Sequence, residues 1–424
     1  MNVQAWIEKI GGGALAKYAD MYEDLEAQKK RYVEALEAFA SLYGADREVY
    51  LFSVPGRTEV LGNHTDHNNG KVMAAAINRD LIAIVSPAEG EIRVKSQGYE
   101  EDVVALCDAE KPEAFPDFSS ASLIGGMAGG FLKNGYQIGG FVAYTTNDVL
   151  KGSGLSSSAG FEVMIGNILN HLYNGGSIDN AKIAQIAQYA ENVYFGKPCG
   201  LMDQMACAVG GFVYIDFADK ATPVMQPISF SLSDAGYALC ITNTGGNHAD
   251  LTPDYAAVPA EMKAVAAYFG KEALRGLTEA EIVENIPVLR KATGDRAIMR
   301  ALHFVRENER VEKAKAALLA GDIDSFFASV SESGRSSLCY LQNVFTTQNV
   351  AEQGITLALA VSDGLLAGKN CAWRVHGGGF AGTMQAFVKK ELVESYAALM
   401  DATFGEGACM KLSIRKEGAI QILA

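Results

Sequence analysis

Cysteine and histidine are scarce in this sequence, and neither is arranged as in a metal-binding cluster. The seven cysteines are scattered, their number is odd, and no Cys-x-x-Cys pair occurs. This pattern predicts reduced, unpaired thiols in a reducing compartment and disfavours a zinc site. Of the six histidines, only His64 and His67 lie close together, with Asp66 between them. A transition-metal site there is the weaker alternative to a turn whose histidines bond to backbone groups.

Long apolar runs and an excess of basic residues are also missing. No run approaches the roughly 20 apolar residues that span a bilayer. The N-terminus lacks the basic and apolar regions of a signal peptide. A net charge of −14 argues against a nucleic-acid-binding surface, which needs clustered Lys and Arg. These absences predict a cytoplasmic protein that binds neither nucleic acid nor membranes, and they leave its oligomeric state open.

The length of 424 residues is too great for one ordinary core and predicts two closely packed domains. Helical patterns alternate with strand patterns, which favours an α+β fold. The predicted helices cover 16–40, 161–173 and several stretches between about 259 and 330. The predicted strands cover 49–54, 81–85, 140–145, 212–217 and 237–242, and a strand–helix–strand pattern covers 372–423. The first strand should end at Pro55-Gly56, and a domain boundary near residue 220 would separate 1–220 from 221–424.

A segment rich in glycine and serine leads into the helix predicted at Phe161. Its residues are Gly152, Ser153, Gly154, Leu155, Ser156, Ser157 and Ser158. Glycines let the backbone approach a ligand closely, and a helix N-terminus offers phosphate free N–H groups and the positive end of the helix dipole. Hydroxyl groups there can also ligate Mg²⁺. A serine-rich helix cap after a glycine turn explains the segment equally well when it is taken alone.

Two further segments carry polar side chains in unusual density or context. Residues 55–70 crowd donors and acceptors into a turn after a strand, which suits recognition of sugar hydroxyls. In residues 191–204, Glu191 ends a predicted helix and Asp203 lies among apolar neighbours. A carboxylate in such a context needs a partner or a chemical task. Arg57 is a plausible partner for Asp203, although a structural helix cap remains the alternative for that carboxylate.

Together these segments resemble the signature segments of the GHMP kinase superfamily, and within it those of the galactokinases. The family's Gly-Arg-x-Asn-x-Ile-Gly-Glu-His-Thr-Asp-Tyr segment is matched within 56–67, and its Gly-x-Gly-Leu-Ser-Ser-Ser-Ala loop at 152–159. Its Cys-Gly-x-Met-Asp-Gln and Gly-Gly-Gly-Phe-x-Gly segments occur at 199–204 and 377–382. All four lie in the family's order across nearly the whole chain, which makes the resemblance specific.

The resemblance implies an N-terminal domain of the ribosomal-protein-S5-domain-2-like kind and a C-terminal ferredoxin-like domain. ATP and a small-molecule sugar would bind in the cleft between them, with the turn at 377–382 supporting the site. The implied reaction transfers the γ-phosphate of ATP to the C1 hydroxyl of galactose, with Mg²⁺ as the metal cofactor.

The family's residue roles can be transferred to matching positions. Asp203 would accept or orient the proton of the anomeric hydroxyl, and Arg57 would stabilise that carboxylate and the developing charge. The loop 152–158 would bind the triphosphate, and Ser158 and Glu191 would hold Mg²⁺. The implied sugar contacts are Asn63, His64, Asp66, Gly200 and Tyr255.

The sugar segment departs from the family pattern in three places. Glu59 stands where the family has Asn, Asn63 where it has Glu, and His67 where it has Tyr. The family's Glu bonds the hydroxyl on carbon 6, so Asn63 is expected to remove a charge there. Galacturonate, N-acetylgalactosamine or a deoxy-galactose therefore remain alternative substrates. A non-catalytic sugar sensor is a further alternative, which the intact Ser156–Ser158 run, Asp203 and Arg57 disfavour.

Overall fold

The computed structural model describes residues 1–149, 157–197, 199–219, 222–246 and 251–423. The helices in that part of the chain are α1 Val3–Gly11, α2 Leu25–Tyr43, α3 Ser120–Lys133, α4 Ser157–Tyr173, α5 Asn180–Ala190, α6 Met202–Val209, α7 Thr252–Tyr268, α8 Glu279–Glu284, α9 Ile286–Ala292, α10 Asp295–Ala320, α11 Ile323–Ser336, α12 Gly354–Leu366 and α13 Val393–Phe404. The strands are β1 Tyr50–Leu61, β2 Lys71–Ala88, β3 Glu91–Ser96, β4 Glu101–Ala105, β5 Gly140–Asn147, β6 Phe212–Asp216, β7 Val224–Ile228, β8 Tyr237–Asn243, β9 Ala372–His376, β10 Thr383–Lys389, β11 Cys409–Leu412 and β12 Ile420–Ile422.

The first sheet is built around β1 and the long strand β2. Its path runs β12-β1-β2-β5-β3-β4, with β6 paired to the start of β2 and β7 paired to β6. β3 and β5 are parallel, and the other pairs are antiparallel. The C-terminal β12 returns to pair with β1. The boundary at residue 220 stays a prediction; β7 and β12, which lie beyond it, are paired in the first sheet.

The second sheet has four antiparallel strands in the order β11-β8-β10-β9. Along the chain these strands follow one another as β8, β9, β10 and β11. Helices lie between β8 and β9 and between β10 and β11. This βαββαβ arrangement is that of a ferredoxin-like domain. The α+β expectation is thereby confirmed, with helices and sheets mixed in both halves.

Helices bury both faces of the first sheet. The largest core cluster joins its strands to α3, α4, α5 and α6, while α1 and α2 form a second cluster on Leu51, Ile82 and Ile84. Buried residues lie on nearly every side of α4 beyond its first two residues, which is the pattern of a helix enclosed by protein. Packing along most of α4 therefore fixes the position of its N-terminal end. No helix in the described ranges is both long enough and apolar enough to span a membrane.

Two predicted elements differ from the structure. β1 does not end at Pro55-Gly56 but continues to Leu61, with a register shift between Pro55 and Arg57. Such an irregularity accommodates a proline, which has no N–H to donate to the neighbouring strand. The helix predicted over 16–40 is instead a short 3₁₀ turn, Ala16–Met21, followed by α2, because the Asp24 side chain caps α2 at the N–H of Ala27.

Candidate active site

The loop between β1 and β2 is held in one compact conformation. Gly62 has φ of 96°, and a Cβ there would lie 2.5 Å from Lys71 O, so only glycine fits. The Thr65 hydroxyl lies 2.8 Å from Gly62 O and 2.7 Å from Lys71 O, so its single O–H is shared between the two ends of the loop. The sequence-predicted residues His64 and Asp66 are therefore carried by a rigid turn.

Helix α10 of the second half supports this loop from beneath. The His303 Nε2–H donates to Asn63 O at 2.9 Å, and Glu307 Oε1 accepts from Gly62 N at 3.1 Å. Asn308 accepts from the N–H at the start of β2 at 2.7 Å. Burial lowers the pKa of His303 to about 4, so the ring is neutral near pH 7 and holds the loop by hydrogen bonding rather than by charge.

Arg57 and Asp203 form the central ion pair of the site. Arg57 Nε donates to Asp203 Oδ1 at 2.7 Å and Nη2 donates to Oδ2 at 2.6 Å, a bidentate arrangement that fixes the plane of the carboxylate. Arg57 lies on β1, and Asp203 lies in the first turn of α6. The side chain of Asp203 is 32% exposed, whereas that of Arg57 is 10% exposed. The largely buried guanidinium of Arg57 thus holds a carboxylate that is partly exposed to solvent.

Asp66 approaches the same place through the loop before α6. A Cβ at Gly200 would lie 2.8 Å from Asp66 Oδ2, so the absence of a side chain at 200 allows this contact. Gly200 precedes Asp203 by three residues, which brings the carboxylates of Asp66 and Asp203 to one region. Four of the predicted site residues, Arg57, Asp66, Gly200 and Asp203, are therefore gathered together.

A buried cluster of two carboxylates and an amide lies beside this pair. Gln204 Nε2 donates to Glu191 Oε2 at 2.7 Å and to Glu162 Oε2 at 3.2 Å. Lys197 Nζ forms an ion pair with Glu191 Oε1 at 3.2 Å. Burial, with the charge of Glu191 next in size, raises the pKa of Glu162 well above its usual range. The cluster links α4 to the turn that follows α5.

The phosphate-loop prediction is described only at its end. Gly152, Ser153, Gly154, Leu155 and Ser156 lie outside the described residues, while Ser157 and Ser158 begin α4. Glu162 follows Ser158 by one helical turn, about 6 Å along the axis. Because Gln204 bonds both Glu162 and Glu191, the start of α4 and Glu191 are neighbours.

The donor set around the start of α4 fits a magnesium ion. A serine hydroxyl and a carboxylate are hard oxygen ligands, and Mg²⁺ in kinases takes few protein ligands and completes its shell with water and phosphate oxygens. In addition, Glu162 Oε1 is buried and has no hydrogen-bond partner among the described residues. This unpartnered oxygen beside Glu191 is suited to contact a cation or one of its water ligands.

The turn at 377–382 contacts the site from the second sheet. His64, with φ of 57°, donates from Nε2 to Gly378 O at 2.9 Å. The Tyr255 hydroxyl donates to Gly379 O at 2.6 Å, and its ring packs edge-on against Phe380. His64 and Tyr255 thus bond to consecutive carbonyl groups of one glycine-rich turn.

Asn63 and Glu59 form a hydrogen-bonded pair. Asn63 is fully buried: its Nδ2 donates to Glu59 Oε1 at 2.9 Å and to Gly377 O at 2.6 Å, and its Oδ1 accepts from Asn343 Nδ2 at 2.7 Å. Glu59 Oε1 also accepts from Arg374 Nη2 at 3.3 Å. Burial raises the pKa of Glu59, and the positive charge of Arg374 opposes that shift. A carboxyl group is therefore present beside Asn63, which the sequence comparison at position 63 alone did not consider.

Two buried side chains of β9 join the second sheet to β1. Arg374 pairs with Glu59 and also donates to the backbone of β1, and it is 0% exposed. The ring of His376 is hydrogen-bonded to the hydroxyls of Thr58, at 3.1 Å, and Thr383, at 2.9 Å. We call Thr58, Glu59, Arg374 and His376 the inter-sheet seam. It fixes how the second sheet meets the strand that carries Arg57.

Sequence reasoning missed Glu162, Arg374 and His303, although a signal existed for the first two. Each is a charged residue inside an otherwise apolar stretch, Glu162 next to Phe161 and Arg374 next to Trp373. A charge in such a stretch needs a buried partner. His303 gave no comparable signal, because it lies in a long amphipathic helix among many polar residues.

Two family models match the chain. The galactokinase galactose-binding signature matches residues 37–87, and the GHMP kinase N-terminal domain matches residues 122–211. These ranges contain the loop between β1 and β2, the start of α4, Glu191 and Asp203.

Curated relatives match over most of the chain. The galactokinase of Streptomyces coelicolor is 31% identical over 374 residues, covering 87% of this chain and 92% of that protein. The galactokinase of Actinobacillus pleuropneumoniae serotype 3 is 31% identical and covers 85% and 90%, respectively. The galactokinase of Pyrococcus furiosus is 33% identical over 276 residues, 64% of this chain and 72% of that protein.

Solved structures share the fold. Lactococcus lactis galactokinase complexed with galactose has a TM-score of 0.75 at 24% identity, and the match covers 91% of this chain and 98% of that one. Methanococcus jannaschii mevalonate kinase has a TM-score of 0.60 at 14% identity and covers 87% and 98%. At these identities the structural matches establish only the fold, whereas the curated sequence relatives establish the family.

Proposed function

The chain belongs to the galactokinase family of the GHMP kinases, and from this premise we propose that it transfers the γ-phosphate of ATP to the C1 hydroxyl of galactose. The product is galactose 1-phosphate. The observation that carries the proposal is the bidentate Arg57–Asp203 pair, which leaves an accessible carboxylate beside Asp66 and Gly200. Phosphoryl transfer depends mainly on positioning and on neutralising charge, and this arrangement supplies both.

Asp203 and Arg57 divide the work at the attacking hydroxyl. Asp203 accepts the proton of the C1 hydroxyl or orients that hydroxyl toward the phosphate. Burial would lower the pKa of Arg57, but the charge of Asp203 outweighs it and the pKa is raised. Arg57 therefore stays charged, holds the carboxylate in one plane, and stabilises negative charge as it develops.

The sugar is bound by the loop after β1, the loop before α6 and the first turn of α7. His64, Asp66 and Tyr255 supply donors and acceptors for its hydroxyls, and Gly200 gives the ring close access to the backbone. The rigid turn at 62–71 and its support from α10 favour this role, since a preorganised site loses less entropy on binding.

The triphosphate is bound by the loop Gly152–Ser158 at the N-terminus of α4. Ser158 and Glu191 would hold Mg²⁺, as the oxygen donor set supports. When bound, the metal neutralises phosphate charge during transfer. Lys197, paired with Glu191, limits the net negative charge of this cluster when the nucleotide is absent.

The test is ADP release from ATP and Mg²⁺ with a panel of hexoses, for the wild type and for Asp203→Asn. The variant keeps the size of the side chain but removes its charge, and we expect kcat to fall by about 10²- to 10⁴-fold. ATP affinity, measured by calorimetry, should change little. Asp363→Asn on the exposed side of α12 is the matched control and should behave as the wild type. Turnover of Asp203→Asn within tenfold of the wild type would contradict the role given to Asp203.

A further inference from the structure

We propose that Glu59, and not Asn63, is the specificity-determining residue that accepts a hydrogen bond from the C6 hydroxyl of the sugar. The proposal rests on the proposed function, because it concerns the substrate of the same site. It replaces the expectation that an uncharged amide at position 63 removes negative charge from the sugar pocket.

The first step concerns what Asn63 can still bind. An asparagine amide has two N–H donors and one carbonyl oxygen. Both donors are used, for Glu59 and for Gly377 O, and the oxygen already accepts from Asn343 Nδ2 at 2.7 Å and from Ser337 Oγ at 3.4 Å. The residue is 0% exposed. A sugar hydroxyl would have to displace one of these buried bonds, and a buried polar group left without its partner is unfavourable.

The second step concerns where Glu59 lies. The pairing of β1 with β2 is regular from Arg57, opposite Ala76, to Glu59, opposite Ala74. Residues two apart in a strand point to the same face, so Glu59 and Arg57 are neighbours on one face, about 7 Å apart along the chain. Glu59 is also hydrogen-bonded to Asn63, the residue that precedes His64, at 2.9 Å. It therefore borders the groups assigned to sugar binding and catalysis.

The third step concerns the free oxygen of Glu59. Both hydrogen bonds that Glu59 accepts from the described residues, from Asn63 and Arg374, end on Oε1. Oε2 accepts none from them, and the residue retains 7% exposure where Asn63 has none. Asn63 and Arg374 thus hold one oxygen and leave the other for a ligand, as supporting side chains commonly orient a binding group.

A carboxylate oxygen at this place selects the substituent on carbon 6. It accepts a bond from a hydroxyl, gains nothing from a 6-deoxy sugar, and repels the carboxylate of galacturonate. Relative to the family pattern, the acid and the amide have exchanged places, with Glu59 for Asn and Asn63 for Glu. The sugar pocket therefore keeps a carboxylate acceptor. Galactose is then preferred over both C6 variants.

The experiment measures the ratio of kcat/KM for galactose to that for 6-deoxygalactose. Glu59→Gln keeps the size of the side chain and an oxygen for Asn63 and Arg374. We expect it to lower this ratio about tenfold or more, the effect of losing a hydrogen bond to a charged group. Asn63→Ala removes one of the two bonds that hold Glu59 Oε1 but keeps the carboxylate, so it should lower the ratio less than Glu59→Gln does. Galacturonate should be a poor substrate of the wild type and a better one of Glu59→Gln.

An unchanged ratio in Glu59→Gln, or a ratio that falls further in Asn63→Ala than in Glu59→Gln, overturns the inference. If Glu59→Gln does not fold, a sugar-bound structure of the wild type still decides the question, since Glu59 Oε2 must lie within hydrogen-bonding distance of the C6 hydroxyl. A wild type that phosphorylates galactose but fails these tests refutes only the role of Glu59. A wild type inactive on every hexose refutes the proposed function itself.

Discussion

The dependence of stability on pH tests whether His376 of the inter-sheet seam is buried as a neutral ring. The ring is 2% exposed and is hydrogen-bonded on both sides to threonine hydroxyls. Burial, followed by the positive charges of Arg57 and Arg374, lowers its pKa to about 3. The folded protein therefore keeps this ring neutral at pH values where the unfolded chain binds a proton. We expect stability to be complete above about pH 6.5 and to be lost progressively as the pH falls toward 3.

The size of the effect at pH 5 follows from the unfolded-state pKa of about 6.5, because the folded ring is still neutral there. At pH 5 the unfolded-state pKa lies about 1.5 units above the pH, and each unit corresponds to about 1.36 kcal/mol. Protonation of the unfolded chain therefore lowers the free energy of unfolding by roughly 2 kcal/mol. His303, with a folded pKa of about 4, adds a loss of similar size. The sum, about 4 kcal/mol, is a large part of the 5–15 kcal/mol that typically stabilises a folded protein.

The assay is urea unfolding at pH 7 and pH 5, followed by the fluorescence of Trp6 and Trp373 and by circular dichroism. His376→Gln removes the titrating group. Its own stability will differ from the wild type, but the loss between pH 7 and pH 5 should be smaller by about 2 kcal/mol. Taking the difference between the two pH values cancels the lost hydrogen bonds and the carboxylates that titrate in both proteins. An identical pH dependence in wild type and variant would refute a buried neutral His376.

Two further predictions concern the site. Gly200→Ala would place a Cβ 2.8 Å from Asp66 Oδ2, so we expect the sugar KM to rise about tenfold as Asp66 moves. Steady-state kinetics checks this against Gly364→Ala, where nothing lies within 4 Å and KM should stay the same; an unaltered KM in Gly200→Ala would show that the Asp66 contact is irrelevant. Glu191→Gln should raise the Mg²⁺ concentration for half-maximal turnover about tenfold and weaken Mg·ATP binding in calorimetry, with exposed Glu406→Gln as the control. Equal Mg²⁺ dependence in the two variants would exclude Glu191 as a ligand.

The sequence alone was sufficient for the α+β class and for the family to which the chain belongs. Local patterns determine these features. A short run of apolar residues predicts strands such as β6. The apolar periodicity after Phe161 predicts α4, which begins four residues earlier, at Ser157. The interruption at Pro55 was interpreted locally and wrongly, because the register shift that lets β1 continue depends on its pairing with β2.

Residue roles depend on contacts that sequence patterns do not encode. Arg57 and Asp203 are 146 residues apart, and the bonds that bring Asn63 to Gly377 and His64 to Gly378 each join positions 314 residues apart. The sequence suggested an acidic residue in need of a partner and named Arg57 as a candidate, but only the structure shows the two side chains in contact. Likewise Asn63 was predicted to meet the sugar, whereas its buried bonds to Glu59, Gly377 and Asn343 became visible only in the folded chain.

The sequence thus determined which chemical groups are available and which local elements carry them, since turns, caps and amphipathic periodicity arise from interactions between near neighbours. The tertiary structure decided which groups face one another, which donors are already satisfied, and which oxygen of Glu59 remains accessible. Those properties follow from the packing of β9, α6 and α10 around β1, and packing is set by the whole chain at once because distant segments compete for the same buried surface.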